Sequence, residues 1–298
     1  METTPSILLI AKESGMTSFR TLAVIKRTLG KKVGHAGTLD SFARGLLIVL
    51  TGSMTRLNPL FMNLDKRYRA RIRFGSETDT LDPEGEVVRS AALPTFETIQ
   101  SVLPRFLGTI EQAPPSYSAV HIDGRRASDR VRSGETVVMK TRSVTVHRFD
   151  LLSYEDGLLE ADITVSKGTY IRSLARDLGR ASGSAAHLEA LTRTEIGPFR
   201  LEEAHPASEV AARKPSLKQS EEYLLRLEGM QRVTCTQEEL KRMAHGQYPP
   251  SALSAGRTGW ALSYSPDGLL VAVLDLERGK IACRLGPYAA EEGGDAAL

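Results

Sequence analysis

The sequence predicts an α+β chain in which strands and helices are interspersed, with a small β unit of its own near the C-terminus. Three observations carry this. Tyr68-Arg-Ala-Arg-Ile-Arg-Phe74 alternates ring or aliphatic side chains with arginine, the period of a strand with one basic, exposed face. Leu22, Ile25 and Leu29 recur at helical spacing behind Thr17 and Ser18, either of which can cap a helix running to about Leu29. Trp260–Ser263 and Leu269–Asp275 read as strands that follow a polar, proline-containing stretch at 203–222.

In chain order, Ile7–Ala11 is a strand and Glu13-Ser14-Gly15 a turn before the first helix. The strand at 68–74 leads into a turn cluster, Asp79-Thr-Leu-Asp-Pro-Glu-Gly85, and Gly85-Glu-Val-Val starts another strand. Phe96–Leu107 places Ile99, Val102, Leu103 and Phe106 three and four residues apart, which predicts a helix. Pro114-Pro115 breaks the pattern before a segment at 121–142 in which Gly124 and Gly134 flank a short helical stretch. Leu158–Val165 is a strand, and Gly168-Thr-Tyr-Ile-Arg172 leads into a helix over Ser173–Ala181. The stretch 203–222 is irregular or loosely helical, Thr236–Ala244 is a short helix ended by His245-Gly246, and the tail Glu291–Leu298 is small and polar.

Composition bounds the class. At 298 residues, 41% hydrophobic and 25% charged, the chain suits one large domain plus a small one, or two medium ones. The apolar run Ile7–Ala11 is too short for a signal h-region or a membrane span. Cys235 and Cys283 show no CxxC spacing, and the six histidines show no HxxxH or His-Cys pairing, so neither a disulfide framework nor a metal site is expected and a cytoplasmic setting fits. The net charge of +3 is unevenly spread: residues 1–75 hold 13 Lys/Arg against four acids, and 121–148 seven against three. Local basic surfaces of this kind suit a phosphate backbone, although solvated faces balanced by acids elsewhere have the same composition.

Gly34-His-Ala-Gly-Thr-Leu-Asp-Ser-Phe-Ala-Arg44 holds one acid, Asp40, behind a glycine-studded loop and ahead of the apolar run Leu46–Leu50. Local evidence leaves two readings of Asp40. It is an acid presented to a substrate, or the N-cap of a helix starting at Ser41.

Five stretches taken together resemble the TruB family of tRNA pseudouridine-55 synthases: Gly34-His-Ala-Gly-Thr-Leu-Asp40, Lys66-Arg-Tyr-Arg69, Thr78-Asp-Thr80, Pro114-Pro-Ser-Tyr-Ser-Ala119 and Lys167-Gly-Thr-Tyr-Ile-Arg172. The resemblance covers most of 5–200 and continues weakly into a segment similar to a PUA-type RNA-binding domain. It implies a pseudouridine synthase catalytic fold on a mixed, largely antiparallel sheet over 1–225, with a basic thumb inserted at about 120–142, and a PUA-like β-rich domain over 226–290. It also implies a monomer that isomerises uridine 55 in the T-arm stem-loop of tRNA, with no metal, organic cofactor, membrane or protein partner.

That reaction breaks the N1–C1′ bond, turns the base, joins C5 to C1′ and releases a proton from C5, after the base has been flipped from its stack. A carboxylate serves as nucleophile or stabilises positive charge at the sugar, and the resemblance puts Asp40 in that place. Arg172 matches the family's active-site arginine. A cation at a helix start opposes the helix dipole, so an arginine there makes more sense with an acid partner that it orients. Tyr68 matches the tyrosine that stacks on the target base, a contact worth roughly 1–3 kcal/mol. Phenols ionise near pH 10, about three units above neutrality, so the acceptor of the C5 proton stays open. Tyr170 matches a pocket-wall tyrosine that packs or touches the base, and His35 a histidine that assists loop opening. Asp79 is either a hydrogen-bonding residue of the cleft or a turn residue. Lys12 matches the lysine of a Lys-Pro-x-Gly turn that here lacks its proline, and Ser128 stands where many members carry a thumb tyrosine. The competing class is a non-catalytic RNA-binding or tRNA-folding protein, and a guide-RNA-dependent relative ranks below both.

Overall fold

Apolar, β-rich runs build one large sheet, and the helices pack on its faces. The computed structural model describes residues 4–122, 124–213, 215–253 and 258–286; the tail expected at 291–298 lies outside these, as do 287–290 of the expected PUA-like unit. The first half comprises β1 (Ser6–Lys12), α1 (Ser18–Leu29), β2 (Val33–His35), β3 (Arg44–Thr51), α2 (Asn58–Met62), β4 (Lys66–Phe74), β5 (Ser76–Thr78), β6 (Val87–Ser90), α3 (Phe96–Val102) and β7 (Gly108–Gln112). Then come β8 (His121–Ile122), β9 (Arg125–Arg126), α4 (Ala127–Arg132), β10 (Arg142–Glu155), β11 (Leu158–Val165), α5 (Ile171–Ala181), β12 (Ala186–Ile196), β13 (Phe199–Arg200) and β14 (His205–Pro206). After α6 (Val210–Arg213) and α7 (Leu217–Leu225) follow β15 (Met230–Thr234), α8 (Gln237–Ala244), β16 (Trp260–Tyr264), β17 (Leu270–Asp275) and β18 (Lys280–Arg284).

The large sheet runs β14-β1-β3-β12-β4-β11-β10-β7, with β2 beside β3 and β13 beside β12. It is mixed and largely antiparallel, as expected: among the described strands of this sheet, β1/β14 and β3/β12 pair in parallel and the rest antiparallel. β12 joins the two halves, pairing in parallel with β3 at Thr192/Arg44 and Arg193/Gly45 and antiparallel with β4 from Ala186/Phe74 to Ile196/Lys66. Gly45 sits at φ +120°, and a Cβ there would collide with the Arg193 backbone, so this junction requires glycine.

On one face Tyr68, Ala70, Ile72 and Phe74 pack with Leu159, Ala161 and Ile163 beneath Ile171, Leu174, Ala175 and Leu178 of α5. α1 covers another part through Leu22 and Ile25 against Leu8, Ile10, Leu47 and Val49. Thr17 rather than Ser18 caps α1, accepting from the Arg20 amide. α3 gives way to a 3-10 turn at Leu103–Phe106, where Pro104 sits. α5 begins at Ile171, two residues earlier than predicted, which puts Arg172 in its first turn.

The C-terminal strands form their own sheet, β15-β16-β17-β18. They are less separate than the sequence suggests. Leu262, Tyr264, Leu270, Val273 and Cys283 share one buried cluster with Ile7, Leu9, Leu46, Ile48, Met54 and Phe61 of the main body. Tyr264 Oη donates to Glu221 (2.8 Å), and Ser53 Oγ donates to the Arg284 carbonyl (2.6 Å) across the same contact.

The basic face expected on β4 is also different in kind. Arg67 and Arg69 pair with Asp162 of β11 at 3.1 Å, Arg67 also with Glu195, Arg71 with Glu160 and Glu189, and Arg73 with Glu189 at 2.6 Å. Burial alone would raise the Asp162 carboxyl, yet Arg69 and Arg67 hold it below the usual carboxylate range. Acids supplied by β11 and β12 thus neutralise the charge counted along β4.

Candidate active site

Asp40 follows β2 in a loop that is pinned residue by residue. Arg193 Nη2 donates to the Gly37 carbonyl (3.0 Å) and Nη1 approaches that of Thr38 (3.5 Å). Ser18 Oγ exchanges two hydrogen bonds with the Leu39 backbone, at 2.9 and 3.0 Å. Lys12 Nζ reaches the Ser41 carbonyl at 3.4 Å, and Ser41 Oγ donates to Glu84 at 2.6 Å. No helix starts at Ser41, where the chain bends directly into β3, so the N-cap reading of Asp40 falls.

The Asp40 carboxylate meets Arg172. Nη2 donates to Oδ1 at 3.1 Å, and Nε lies 3.0 Å from Oδ2 as a close ionic approach without hydrogen-bond alignment. The guanidinium, 6% exposed, is fixed from its other edge by the carbonyls of Thr80 (2.8 Å) and Tyr117 (3.1 Å) and by Asp82 Oδ2 at 3.2 Å. Asp82, like Arg193, is a site residue that the sequence reading missed. It lies in the Asp79–Gly85 cluster, whose turn composition masked it, and Leu81 in the left-handed region (φ +62°) directly precedes it. Burial pushes the Asp82 carboxyl above its ordinary value, while bonds from Thr80 and charge from Arg172 oppose the shift. Arg172 is therefore shared between one buried acid and one half-buried acid that faces the cleft.

That cleft, about 760 Å³, is lined by Asp40, Tyr68, Tyr170 and Arg172, by Leu191 and Arg193 of β12, and by Arg126, Ser128, Arg132 and Arg142 around α4. Its volume falls within the roughly 300–1,000 Å³ of small-molecule sites. Among the described residues, Lys66, Arg126, Arg132, Arg142, Lys167, Arg172 and Arg193 line it against one acid, Asp40. Tyr170 is held by its backbone, which exchanges bonds with the Gln112 side chain (2.8 and 3.1 Å), and its ring carries the Arg142 guanidinium 4.7 Å from its centre. A second cavity of about 250 Å³ lies along β1, between Ile7 and Tyr223, and contains none of these groups.

The structure thus brings together Asp40, Tyr68, Tyr170 and Arg172. It does not put the other three sequence-derived candidates in the cleft lining. Asp79 sits in a turn, its Oδ1 accepting from the Glu86 amide and its own amide donating to the Glu86 carbonyl, both at 3.0 Å, and its carboxylate also engages the hydroxyl of Tyr117 beside the cleft. Lys12, 2% exposed, ties the first turn through the carbonyls of Glu13 (2.9 Å) and Met16 (2.5 Å). His35 pairs with Val49 in the sheet, and burial, then the Arg193 charge, lower its pKa. Among the described residues no group of three or more His, Cys, Asp or Glu could hold a metal ion, and no helix is long and apolar enough to cross a membrane.

Burial pushes the Lys66 ammonium down to about 8, with Arg193 adding to the shift, while its proton donors engage the carbonyls of Met62 and Leu64. A lysine whose folded pKa lies below its unfolded value of 10.5 costs stability while charged, and that cost is relieved between about 8 and 10.5, where the unfolded chain binds more protons. The unfolding free energy of wild type minus that of Lys66→Met is therefore expected to rise between pH 7.5 and pH 10 in denaturant titrations. A flat or falling difference contradicts the depressed value.

Comparison with known proteins agrees with this geometry. Residues 26–171 match the family model described as the TruB family pseudouridylate synthase N-terminal domain. The chain is 47% identical over 232 residues to tRNA pseudouridine synthase B of Treponema pallidum (strain Nichols), a match that covers 70% of this chain and 63% of that protein. It is 39% identical over 280 residues to tRNA pseudouridine synthase B of Arthrobacter sp. (strain FB24), covering 90% of this chain and 92% of that one. In fold it resembles a chain of a Cbf5-Nop10-Gar1 complex, with a TM-score of 0.67 at 22% identity over 96% of this chain and 87% of the other. On the strength of these matches, the chain belongs to the TruB family of pseudouridylate synthases.

Proposed function

We propose that this protein is a tRNA pseudouridine synthase that isomerises uridine 55 of the TΨC loop. The observation that carries the proposal is the Asp40 carboxylate, gripped by Arg172, as the one acid among the described residues lining a cleft of seven cations. A cleft with that charge balance attracts a phosphate backbone, and a nucleotide drawn from its stack can enter it base first. Tyr68 offers the base a ring to stack on. Asp40 attacks the nucleotide or supports positive charge at C1′ while the N1–C1′ bond breaks. The base turns, C5 bonds to C1′, the C5 proton departs to solvent or a cleft group, and the freed N1 takes up a proton, so that substrate and product are isomers. The segment at 120–142 serves as a thumb over this cleft, and 226–290 as an RNA-binding unit. A pure RNA binder has no use for a carboxylate near phosphates, which disfavours the non-catalytic alternative. Tritium release from C5-labelled tRNA tests the reading: enzyme-dependent release supports it, and its absence with well-folded protein and unmodified tRNA overturns it.

Affinity should follow the exposed cleft cations Arg126 and Arg132, and neither the buried Arg193 nor the paired arginines of β4. Arg126→Gln and Arg132→Gln are each expected to reduce the salt dependence of tRNA binding by about one phosphate contact. Arg71→Gln, which removes a residue already paired with Glu160 and Glu189, should change affinity by less than about twofold. Filter binding across a salt series distinguishes the two, and equal effects would contradict the assignment.

A further inference from the structure

Arg193 is 1% exposed, and among the described residues no carboxylate lies within ion-pair distance of it. A guanidinium does not shed its proton in a protein, so this position holds a permanent buried charge. Such a charge is costly unless its donors are satisfied. Here Nε donates to the Leu46 carbonyl (2.8 Å), Nη2 to that of Gly37 (3.0 Å), and Nη1 approaches that of Thr38 (3.5 Å). Leu46 is in β3, just after the loop, and Gly37-Thr38 lies just before Asp40. One planar fork therefore clamps both ends of the segment that presents the acid.

The clamp is built in at the backbone level. Arg193 stands opposite Gly45 in the parallel β12/β3 pairing, where only glycine fits. Gly37 adopts φ +93°, which turns its carbonyl region toward the fork. Burial depresses Lys12, His35 and Lys66 nearby, and the Arg193 charge adds to each shift.

We infer that Arg193 is a positioning residue for the reaction: its guanidinium fork sets the placement of the Gly37–Asp40 loop and so of the Asp40 carboxylate. The inference rests on the synthase reading for its kinetic consequence, and on geometry alone for its structural one. A fork has directionality that an ammonium lacks, so charge by itself does not reproduce the role. Misplacement of a reacting group by an ångström costs rate far more than affinity.

The test compares wild type, Arg193→Lys and Arg193→Met. Single-turnover pseudouridine formation is measured at saturating enzyme, where the first-order rate constant does not depend on the fraction of enzyme that folded, and tRNA Kd is measured alongside. The rate constant is expected to fall at least tenfold in Arg193→Met and by an intermediate factor in Arg193→Lys, with Kd within twofold of wild type. Amide exchange over residues 37–41 should accelerate at least tenfold in both, with β4 and α5 unchanged. An unaltered rate constant in both variants, a loss of rate matched by an equal loss of affinity, or unaltered exchange over 37–41 overturns the inference. If wild type itself forms no pseudouridine, the synthase reading fails, and the exchange result still decides whether Arg193 positions the loop. Should Arg193→Met not fold, Arg193→Lys carries both readouts.

Discussion

Asp40→Asn is expected to lower pseudouridine formation by a factor on the order of 10³ or more, with the fold intact and tRNA affinity within about twofold of wild type. The amide matches the carboxylate in size and still offers Arg172 Nη2 an acceptor at the Oδ1 position. The loop is held independently of the acid through Gly37, Leu39 and Ser41, so its path should survive the change. What is lost is the negative charge and nucleophilicity at an acid that faces the cleft. Tritium release from C5-labelled tRNA, with circular dichroism and filter binding on the same preparation, checks all three parts. Undiminished release would show that Asp40 does not touch the reacting bonds.

Arg172→Met carries the second large effect, on stability as well as rate. It removes the donor to the Thr80 and Tyr117 carbonyls and leaves Asp82, itself 6% exposed on its side chain, without its cation. Breaking a buried pair by removing one partner costs about 3–5 kcal/mol. The pH dependence has a definite sign. Asp82 already has a folded pKa above its ordinary value, because burial disfavours the carboxylate, so its ionisation costs native stability as pH rises from 3.8 toward the folded value. Without Arg172 that folded value moves higher, the window widens, and the cost at pH 7 grows. Urea titrations should therefore find Arg172→Met further below wild type at pH 7 than at pH 5. An equal loss at both values would mean that Asp82 is not held as an ion by Arg172.

Much of this fold was legible because its pieces follow local rules. The alternation at 68–74, the helical spacing of Leu22 and Ile25 behind Thr17, and Leu158–Val165 became β4, α1 and β11 with bounds shifted by a residue or two. β10 and β12 were not foreseen. Ala186–Ile196 carries His187, Glu189, Arg193 and Glu195 among its apolar residues, and its strand state depends on partners far along the chain, β3 and β4. The same dependence explains the basic face of β4: the arginines are visible in sequence, but Asp162, Glu189 and Glu195 come from strands about a hundred residues away. For the site, the family motifs pointed to Asp40, Tyr68, Tyr170 and Arg172, which the fold brings to one cleft. Asp82 and Arg193 were silent because their roles reside in a shared guanidinium and in a parallel strand junction, neither of which has a local signature. Lys12 and Asp79 carried signals of turns beside the cleft: both bond to neighbouring backbone, while Lys12 also reaches the Ser41 carbonyl and Asp79 the Tyr117 hydroxyl.

The most direct measurement is to incubate an unmodified tRNA transcript with the protein and map pseudouridine by carbodiimide treatment and primer extension, with Asp40→Asn in parallel. The account predicts one new stop, at position 55 in the T loop, produced by wild type without any guide RNA and absent with the variant. No stop with wild type, a stop elsewhere, or an undiminished stop with Asp40→Asn would contradict it.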